Sequence, residues 1–387
     1  ADVTTSAGVG GPGDAVSCAA VFLDADHDAD LDLYVCNLAG ADGGAAANQL
    51  LRNNSDATFS DVADSQGLAC PSQRSVALAP IDIDDDRDTD LVVFHEDAPI
   101  SFFRNDLLDG FSPFDPIGTP VDGGRGGIAQ DFDGDGRPDL LVFATGEQPM
   151  RLFLGSGVGP MQRSVQFEQA GASLPPTIAG PSPRIADIDL DGDLDVALLH
   201  GGSRWLVNDG RGLFAPRLAT PPSLPAGPAA RLELMDFNAD GVVDLLASPD
   251  SGSREITLSA GRLDTPARWL GLGLTGQHSQ AYSTRSPASG YGTKVEVRAG
   301  LHGQTLVQTG LHGGTSQSVR PLIFGLGGAA EADYVHLRWP DGITQSETGL
   351  EANSYHVLAE TQRRPTSCPM LFAWDGERFS FVGDFAG

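Results

Sequence analysis

One pattern recurs five times along this chain and limits what it can fold into. Residues 131–143 read DFDGDGRPDLLVF, four aspartates in nine residues followed by an apolar run. The same unit starts at Asp24 (DADHDADLDLYV), Asp82 (DIDDDRDTDLVVF), Asp187 (DIDLDGDLDVALL) and Asp236 (DFNADGVVDLLAS). Successive starts lie 49–58 residues apart, and a period of that length signals a repeat architecture. In each unit an apolar stretch precedes the acidic loop and a β-rich stretch follows it, as SCAAVFL and LDLYV do around the first. That order predicts strand, loop, strand, a hairpin closed by the loop. Weaker third strands follow in NQLLRN, ISFFRN, RLFLG, RWLVN and REITL, and a fourth in TFSDVA. No long window carries the period of an amphipathic helix. Four short strands per unit predict an all-β chain whose repeats are the blades of a β-propeller.

The loops also account for the charge. The chain of 387 residues carries a formal charge of −28 with 40% hydrophobic residues, so burial is ample and the acidity does not signal disorder. Most of that charge falls in the windows 24–32, 82–90, 131–139, 187–195 and 236–244. Aspartates packed so closely repel one another unless an oxygen-seeking cation sits among them. Ca²⁺ takes six to eight oxygen ligands in a flexible shell, which alternating aspartates on a curled loop supply. Side chains at positions 1, 3, 5 and 9 are the candidate ligands, and position 7 contributes its backbone carbonyl. The candidates are Asp24, Asp26, Asp28, Asp30 and Asp32; Asp82, Asp84, Asp86, Asp88 and Asp90; Asp131, Asp133, Asp135, Arg137 and Asp139. Two more sets follow: Asp187, Asp189, Asp191, Asp193 and Asp195, then Asp236, Asn238, Asp240, Val242 and Asp244. Use of the carbonyl explains why position 7 accepts Arg137 or Val242. Mg²⁺ would demand a stricter octahedron, and Zn²⁺ would prefer His and Cys, which the loops lack as a set. About five Ca²⁺ sites are expected.

Several classes are disfavoured. Nucleic acid as partner would require clustered Lys and Arg. No apolar run approaches the ~18 residues of a membrane span. The opening ADVTTSAGVG has neither a basic start nor an apolar core, so any secretion signal is expected to be already removed or to lie outside this sequence.

The unit DxDxDGxxDLxV followed by N-LxRN and TFxDV resembles the FG-GAP repeat of integrin alpha subunits and bacterial relatives. Further on, WLGLGLTG (269–276), GYGTKVEVRAG (290–300) and IFGLGGAAEADYVHLRWPDG (323–342) resemble the ASPIC/UnbV domain. Together they resemble the cartilage-acidic-protein family over about residues 1–362. The resemblance implies a secreted, calcium-binding β-propeller with no established reaction. Expected domains are an FG-GAP propeller over 1–265, a small β-sandwich-like ASPIC/UnbV domain over 266–362, and an extension over 363–387 that begins a further, truncated domain. Family propellers usually have seven blades, whereas five loops are visible here. The N-terminal DVTTSAG resembles FSDVADSQG at 59–67 and reads as a fourth strand. Either it closes the fifth blade around a five-bladed ring, or blades are missing upstream.

The remaining motifs carry less. GLGLTG (271–276) fits a dinucleotide pattern but no helix follows, so a glycine-rich strand is expected. His302 and His312 lie in twin GLHG turns, and Asn53 begins an N-x-S sequon. Cys18, Cys36, Cys70 and Cys368 allow up to two bridges. Counting back from the first loop sets Cys36 beside Ala20, which leaves a bridge within the first three open without choosing the pair. No nucleophile elbow or triad order stands out. The expectation is a non-enzymatic, extracellular or periplasmic interaction module that docks on a protein or glycan, with an extrinsic subunit of a larger envelope assembly as a related form. A hydrolase or lyase using the propeller channel is the alternative.

Overall fold

The computed structural model describes residues 2–384 apart from 14, 41–42, 97, 108–109, 117–123, 145–147, 158–164, 172–173, 176–182, 199–203, 218–228, 250–255, 264–265, 278–285, 314–316 and 362–369. The regular structure of the described residues is β apart from one short helix, α1 (Thr4–Ala7). None of their helices is long and apolar enough to cross a membrane. The chain divides into two compact units.

The first unit comprises residues 1–130, 137–183 and 309–318. It holds three four-stranded antiparallel sheets, each in sequence order. The first is β1 (Val16–Leu23), β2 (Asp32–Ala39), β3 (Gln49–Asn53) and β4 (Phe59–Asp61). The second is β5 (Ser75–Ile81), β6 (Asp90–His95), β7 (Ser101–Asn105) and β8 (Phe111–Phe114). The third is β9 (Gly124–Gln130), β10 (Asp139–Ala144), β11 (Arg151–Gly155) and β12 (Phe167–Gln169). First strands adjoin, β1 on β5 and β5 on β9, as stacked blades require. The middle sheet shows why LVVF has no polar alternation. Leu91 and Val93 pack toward the first sheet with Val21, Leu23 and Tyr34. Val92 and Phe94 pack toward the third with Leu140, Val142 and Phe153. A strand covered on both faces needs apolar residues at every position.

The second unit comprises residues 131–136, 184–308 and 319–387. Its fourth sheet is β13 (Arg184–Ala186), β14 (Asp195–Leu198), β15 (Arg204–Asn208) and β16 (Phe214–Arg217); the fifth is β17 (Ala229–Met235), β18 (Asp244–Pro249) and β19 (Thr257–Ser259). Ile188, Trp205, Leu232, Leu234 and Leu245 fill the space between them. Beyond residue 266 come β20 (Arg268–Thr275), β21 (Lys294–Ala299), β22 (His302–Val307), β23 (Leu322–Gly327), β24 (Glu331–Ala332), β25 (Tyr334–Arg338), β26 (Thr344–Glu347), β27 (Leu350–Glu351), β28 (Ser354–Ala359), β29 (Met370–Trp374) and β30 (Phe379–Asp384). They form the sheets β23–β20–β28 and β22–β21–β25–β26 and the pairs β24–β27 and β29–β30. GLGLTG runs as strand along most of its length, within β20.

Two expectations are corrected. The N-terminal DVTTSAG is a helical turn and not a strand, and the fifth sheet has three strands among the described residues. Thr4 N donates to Asp2 Oδ1 at 2.9 Å and Ala63 N donates to Asp61 Oδ1 at 3.1 Å. Gly8 and Gly67 both end their turns near φ 70°. The resemblance to FSDVADSQG is therefore to the turn after its strand. The second correction concerns Cys36, which lies opposite Ala19 and not Ala20, because the hairpin pairs Leu23 with Asp32. A register shift between Ser17 and Ala19 leaves Cys18 in a bulge, with its thiol 3.1 Å from Ser75 O. Cys18, Cys36 and Cys70 are free thiols; Cys368 lies outside the described residues.

Candidate metal centres

Each acidic loop joins the first two strands of its sheet and curls in the same way. Positions 4 and 6 have positive φ in all five: His27 and Ala29, Asp85 and Arg87, Gly134 and Gly136, Leu190 and Gly192, Ala239 and Gly241. Only four of these ten are glycine, so the loop holds L-residues in a conformation that costs about 1–2 kcal/mol each. The position 1 carboxylate helps impose it. Asp24 accepts Asp28 N at 3.1 Å and Ala29 N at 3.0 Å. Asp82 takes Asp86 N at 3.0 Å and Arg87 N at 3.1 Å, and Asp187 takes Asp191 N at 3.2 Å and Gly192 N at 3.0 Å. Asp236 takes Asp240 N at 3.1 Å and Gly241 N at 2.6 Å, and Asp131 takes Gly134 N and Gly136 N at 2.8 Å each.

The position 9 aspartate closes the loop onto the sheet. Asp32, Asp90, Asp195 and Asp244 accept the position 2 N–H at 2.9–3.1 Å. Their other oxygens, and that of Asp139, accept an N–H from the end of the third strand or just beyond it. The donors are Asn53, Asn105, Gly155, Asn208 and Gly261, at 2.7–2.8 Å. All five aspartates are buried.

In the first, second and fourth loops candidate ligands converge. Carboxylate oxygens of Asp24, Asp26 and Asp28 lie within 4.8 Å of one another, as do those of Asp82, Asp84 and Asp86, and of Asp187, Asp189 and Asp195. Two oxygens each 2.3–2.6 Å from one Ca²⁺ can be at most about 5 Å apart, so the spacing suits a shared ion. Asp84 Oδ1 and Asp189 Oδ1 are buried with no hydrogen-bond partner, a costly state that a cation would relieve. Their second oxygens face arginine, Arg104 Nη1 at 4.0 Å and Arg217 Nη1 at 3.0 Å. Burial, with neighbouring aspartates adding to it, pushes Asp24 to about 8, Asp131 to about 7 and Asp84 to about 6. It also raises Asp90, Asp187 and Asp195 well above the carboxylate range. Bare loops thus oppose their own ionisation. The donor set is oxygen only and fits Ca²⁺.

Position 7 side chains turn elsewhere. Asp30 receives Ser55 Oγ–H, Asp88 lies 3.6 Å from His27 Nε2, and Arg137 Nε donates to Gly155 O at 3.0 Å. In the fifth loop Asn238 Nδ2 donates to Asp240 Oδ2 at 2.9 Å and Val242 N to Asp240 Oδ1 at 2.9 Å. The acidic pattern does not reveal the asparagines that end third strands. Asn105 Nδ2 donates to Ala25 O of the first loop at 2.9 Å, and Asn208 Nδ2 to Phe132 O of the third loop at 2.7 Å. Each ties its blade to position 2 of the preceding blade's loop. The recurrence of N at the end of NQLLRN, ISFFRN and RWLVN is the signal that marks them. In the third blade Gly155 stands there instead, because a Cβ would lie 2.4 Å from Pro138 O.

The FG-GAP-like repeat family matches residues 82–142 and 131–198, and the ASPIC and UnbV family matches 283–365. This is an all-β repeat protein that carries FG-GAP-like repeats and an ASPIC/UnbV domain. It is similar to cartilage acidic protein 1 of Mus musculus, 25% identical over 352 residues, which are 83% of this chain and 51% of that protein. The Xenopus tropicalis protein of the same name is 30% identical over 171 residues, 40% of this chain and 25% of that one. The chain thus spans about half the length, or less, of these relatives. The crystal structure of the V. cholerae biofilm matrix protein Bap1 is similar with a TM-score of 0.40 and 12% identity, over 87% of this chain and 59% of that one.

Proposed function

We propose that the chain is a calcium-stabilised extracellular interaction module that docks on a protein or glycan and catalyses no reaction of its own. The observation that carries the calcium reading is the pair of orphaned, buried oxygens, Asp84 Oδ1 and Asp189 Oδ1, each within a cluster of converging aspartates. Extracellular calcium modules bind at about 10⁻⁴–10⁻³ M, so loops of this kind would stand empty in a cytosol. That argues for an extracellular or periplasmic setting, and the similarity to cartilage acidic protein 1 supports the extracellular one. About five ions are proposed, one per loop.

Thermal melting in EGTA, with Ca²⁺ or Mg²⁺ added back, tests this. Binding to the native state alone stabilises by about 2.7 kcal/mol per site at a hundred times Kd. The melting temperature should fall in chelator and return with Ca²⁺ but poorly with Mg²⁺. An unchanged curve would refute a structural role for the ions. Native copurification from the source organism identifies the partner.

A further inference from the structure

The sheet β23–β20–β28 lies against the fourth and fifth acidic loops, each strand through one residue. On β23 a Cβ at Gly325 would fall 2.4 Å from the carbonyl carbon of Leu190 and 2.5 Å from Asp187 Oδ2. On β20 the indole of Trp269 covers Gly241, where a Cβ would lie 2.0 Å from the ring. On β28 the Tyr355 ring is 4.8 Å from that of Trp269, and its hydroxyl donates to Asp236 Oδ2 at 2.6 Å. Asp187 and Asp236 hold position 1 of their loops. Leu190 and Gly241 hold the positive-φ positions. The sheet therefore touches each loop at the atoms that define its curl.

We propose that Ca²⁺ in the fourth and fifth loops seats the ASPIC/UnbV sheet, so that ion binding and seating are one linked equilibrium, with Tyr355 as the positioning residue for Asp236. Asp236 Oδ2 already accepts Gly241 N at 2.6 Å and the Tyr355 hydroxyl. Both its lone pairs are used, whereas Oδ1 accepts only Asp240 N at 3.1 Å and keeps a lone pair to face an ion. Loss of the ion leaves like charges opposed around Leu190 (φ 59°) and Ala239 (φ 60°), residues that resist this backbone. A relaxed loop cannot keep contacts too close to admit a methyl group. Linkage is reciprocal, so whatever loosens the sheet weakens the ion sites beneath it.

The inference rests on the calcium reading, and one experiment on the full chain separates the two. Tb³⁺, bound in place of Ca²⁺, is excited through Trp269, and a Trp269→Phe control identifies that component. Hydrogen exchange at set free Ca²⁺ reports every loop. In the wild-type chain, residues 268–275 and 354–359 should begin to lose protection as loop 236–244 empties and lose the rest as loop 187–195 follows. Tyr355→Phe keeps the ring, and should raise the Tb³⁺ needed at the Trp269-sensitised site about tenfold, the effect of one hydrogen bond to a charged group. Gly325→Ala should do the same for protection of 187–195. Loops 24–32 and 82–90, in the other unit, should keep wild-type affinity in both variants. Unchanged affinities overturn the inference, as does equal weakening of all loops or a sheet that stays protected over emptied loops. Absence of binding at any loop refutes the calcium reading itself.

Discussion

Asp90→Asn and Asp84→Asn differ by one atom each from the native chain and should behave in opposite ways. Asp90 is 1% exposed and uses both oxygens, Oδ1 for Asn105 N at 2.8 Å and Oδ2 for Ile83 N at 2.9 Å. An amide keeps one acceptor and turns an NH₂ toward the other N–H. Losing one charge-assisted bond and stranding one buried donor costs about 3 kcal/mol. Asp84 presents an orphaned Oδ1 and lies near Asp86, with its pKa pushed to about 6 by burial and that neighbour. Neutralising it relieves repulsion and gives up a distant contact with Arg104 at 4.0 Å. In chelator Asp84→Asn is therefore neutral or stabilising, within about 1 kcal/mol once solvent screening is allowed for. In Ca²⁺ it removes a ligand charge and lowers affinity at the second loop. The amides of Ile83 and Asn105 are the assay. Their exchange in Asp90→Asn should quicken more than a hundredfold with or without Ca²⁺, at 1.4 kcal/mol per factor of ten. In Asp84→Asn it should quicken only in Ca²⁺, where the wild-type chain is better protected. Exchange within about threefold of wild type in Asp90→Asn would refute the stapling role, since even one such bond is worth more. Equal destabilisation of both variants in EGTA would refute the separation of staple from ligand.

Without cation, stability should fall as pH rises from about 4 to about 8. Asp24, Asp32 and Asp131 have folded pKa values of about 8, 7 and 7 against an ordinary 3.8, so the folded chain holds protons that the unfolded one has released. That stability is complete below the unfolded value and is lost through the folded one; with saturating Ca²⁺ the trend reverses, because protons then compete with the ion, and melting curves in EGTA and in Ca²⁺ check both signs. Asn105→Ala and Asn208→Ala should each destabilise by about 1–3 kcal/mol through an unmet carbonyl at Ala25 or Phe132, read as faster exchange in the loop of the preceding blade. The fifth loop should empty first in a calcium titration, because Asn238 replaces a carboxylate there; protection lost first at 131–143 or 187–199, with 236–248 still protected, would show that rigidity outweighs ligand charge. Asn238→Asp should delay that loss.

What the sequence disclosed and what it concealed follow from where each constraint is written. The blades were legible because burial on both faces leaves a mark at every residue of a strand, as Leu91, Val92, Val93 and Phe94 show. The loops were legible because repelling carboxylates have few reasons to gather. Their curl was legible only where glycine marks it, at 134, 136, 192 and 241. At Ala29, Arg87, Leu190 and Ala239 the residue type argues against a positive φ, and at His27 and Asp85 it tolerates one without demanding it. There the conformation comes from contacts outside the residue, chiefly paired N–H bonds to the position 1 carboxylate. The double use of position 9 was hidden for the same reason, since one aspartate looks alike as ligand or as staple until the third strand is in place. The N-terminal turn was misread because DVTTSAG matches a segment whose strand ends at its first aspartate, Asp61. Local similarity carried the turn faithfully, and the strand that precedes the turn in the first copy has no counterpart among residues 2–8. A motif therefore transfers the geometry of its own hydrogen bonds, Asp2 to Thr4 as Asp61 to Ala63. It does not transfer the sheet on which the first copy happens to stand.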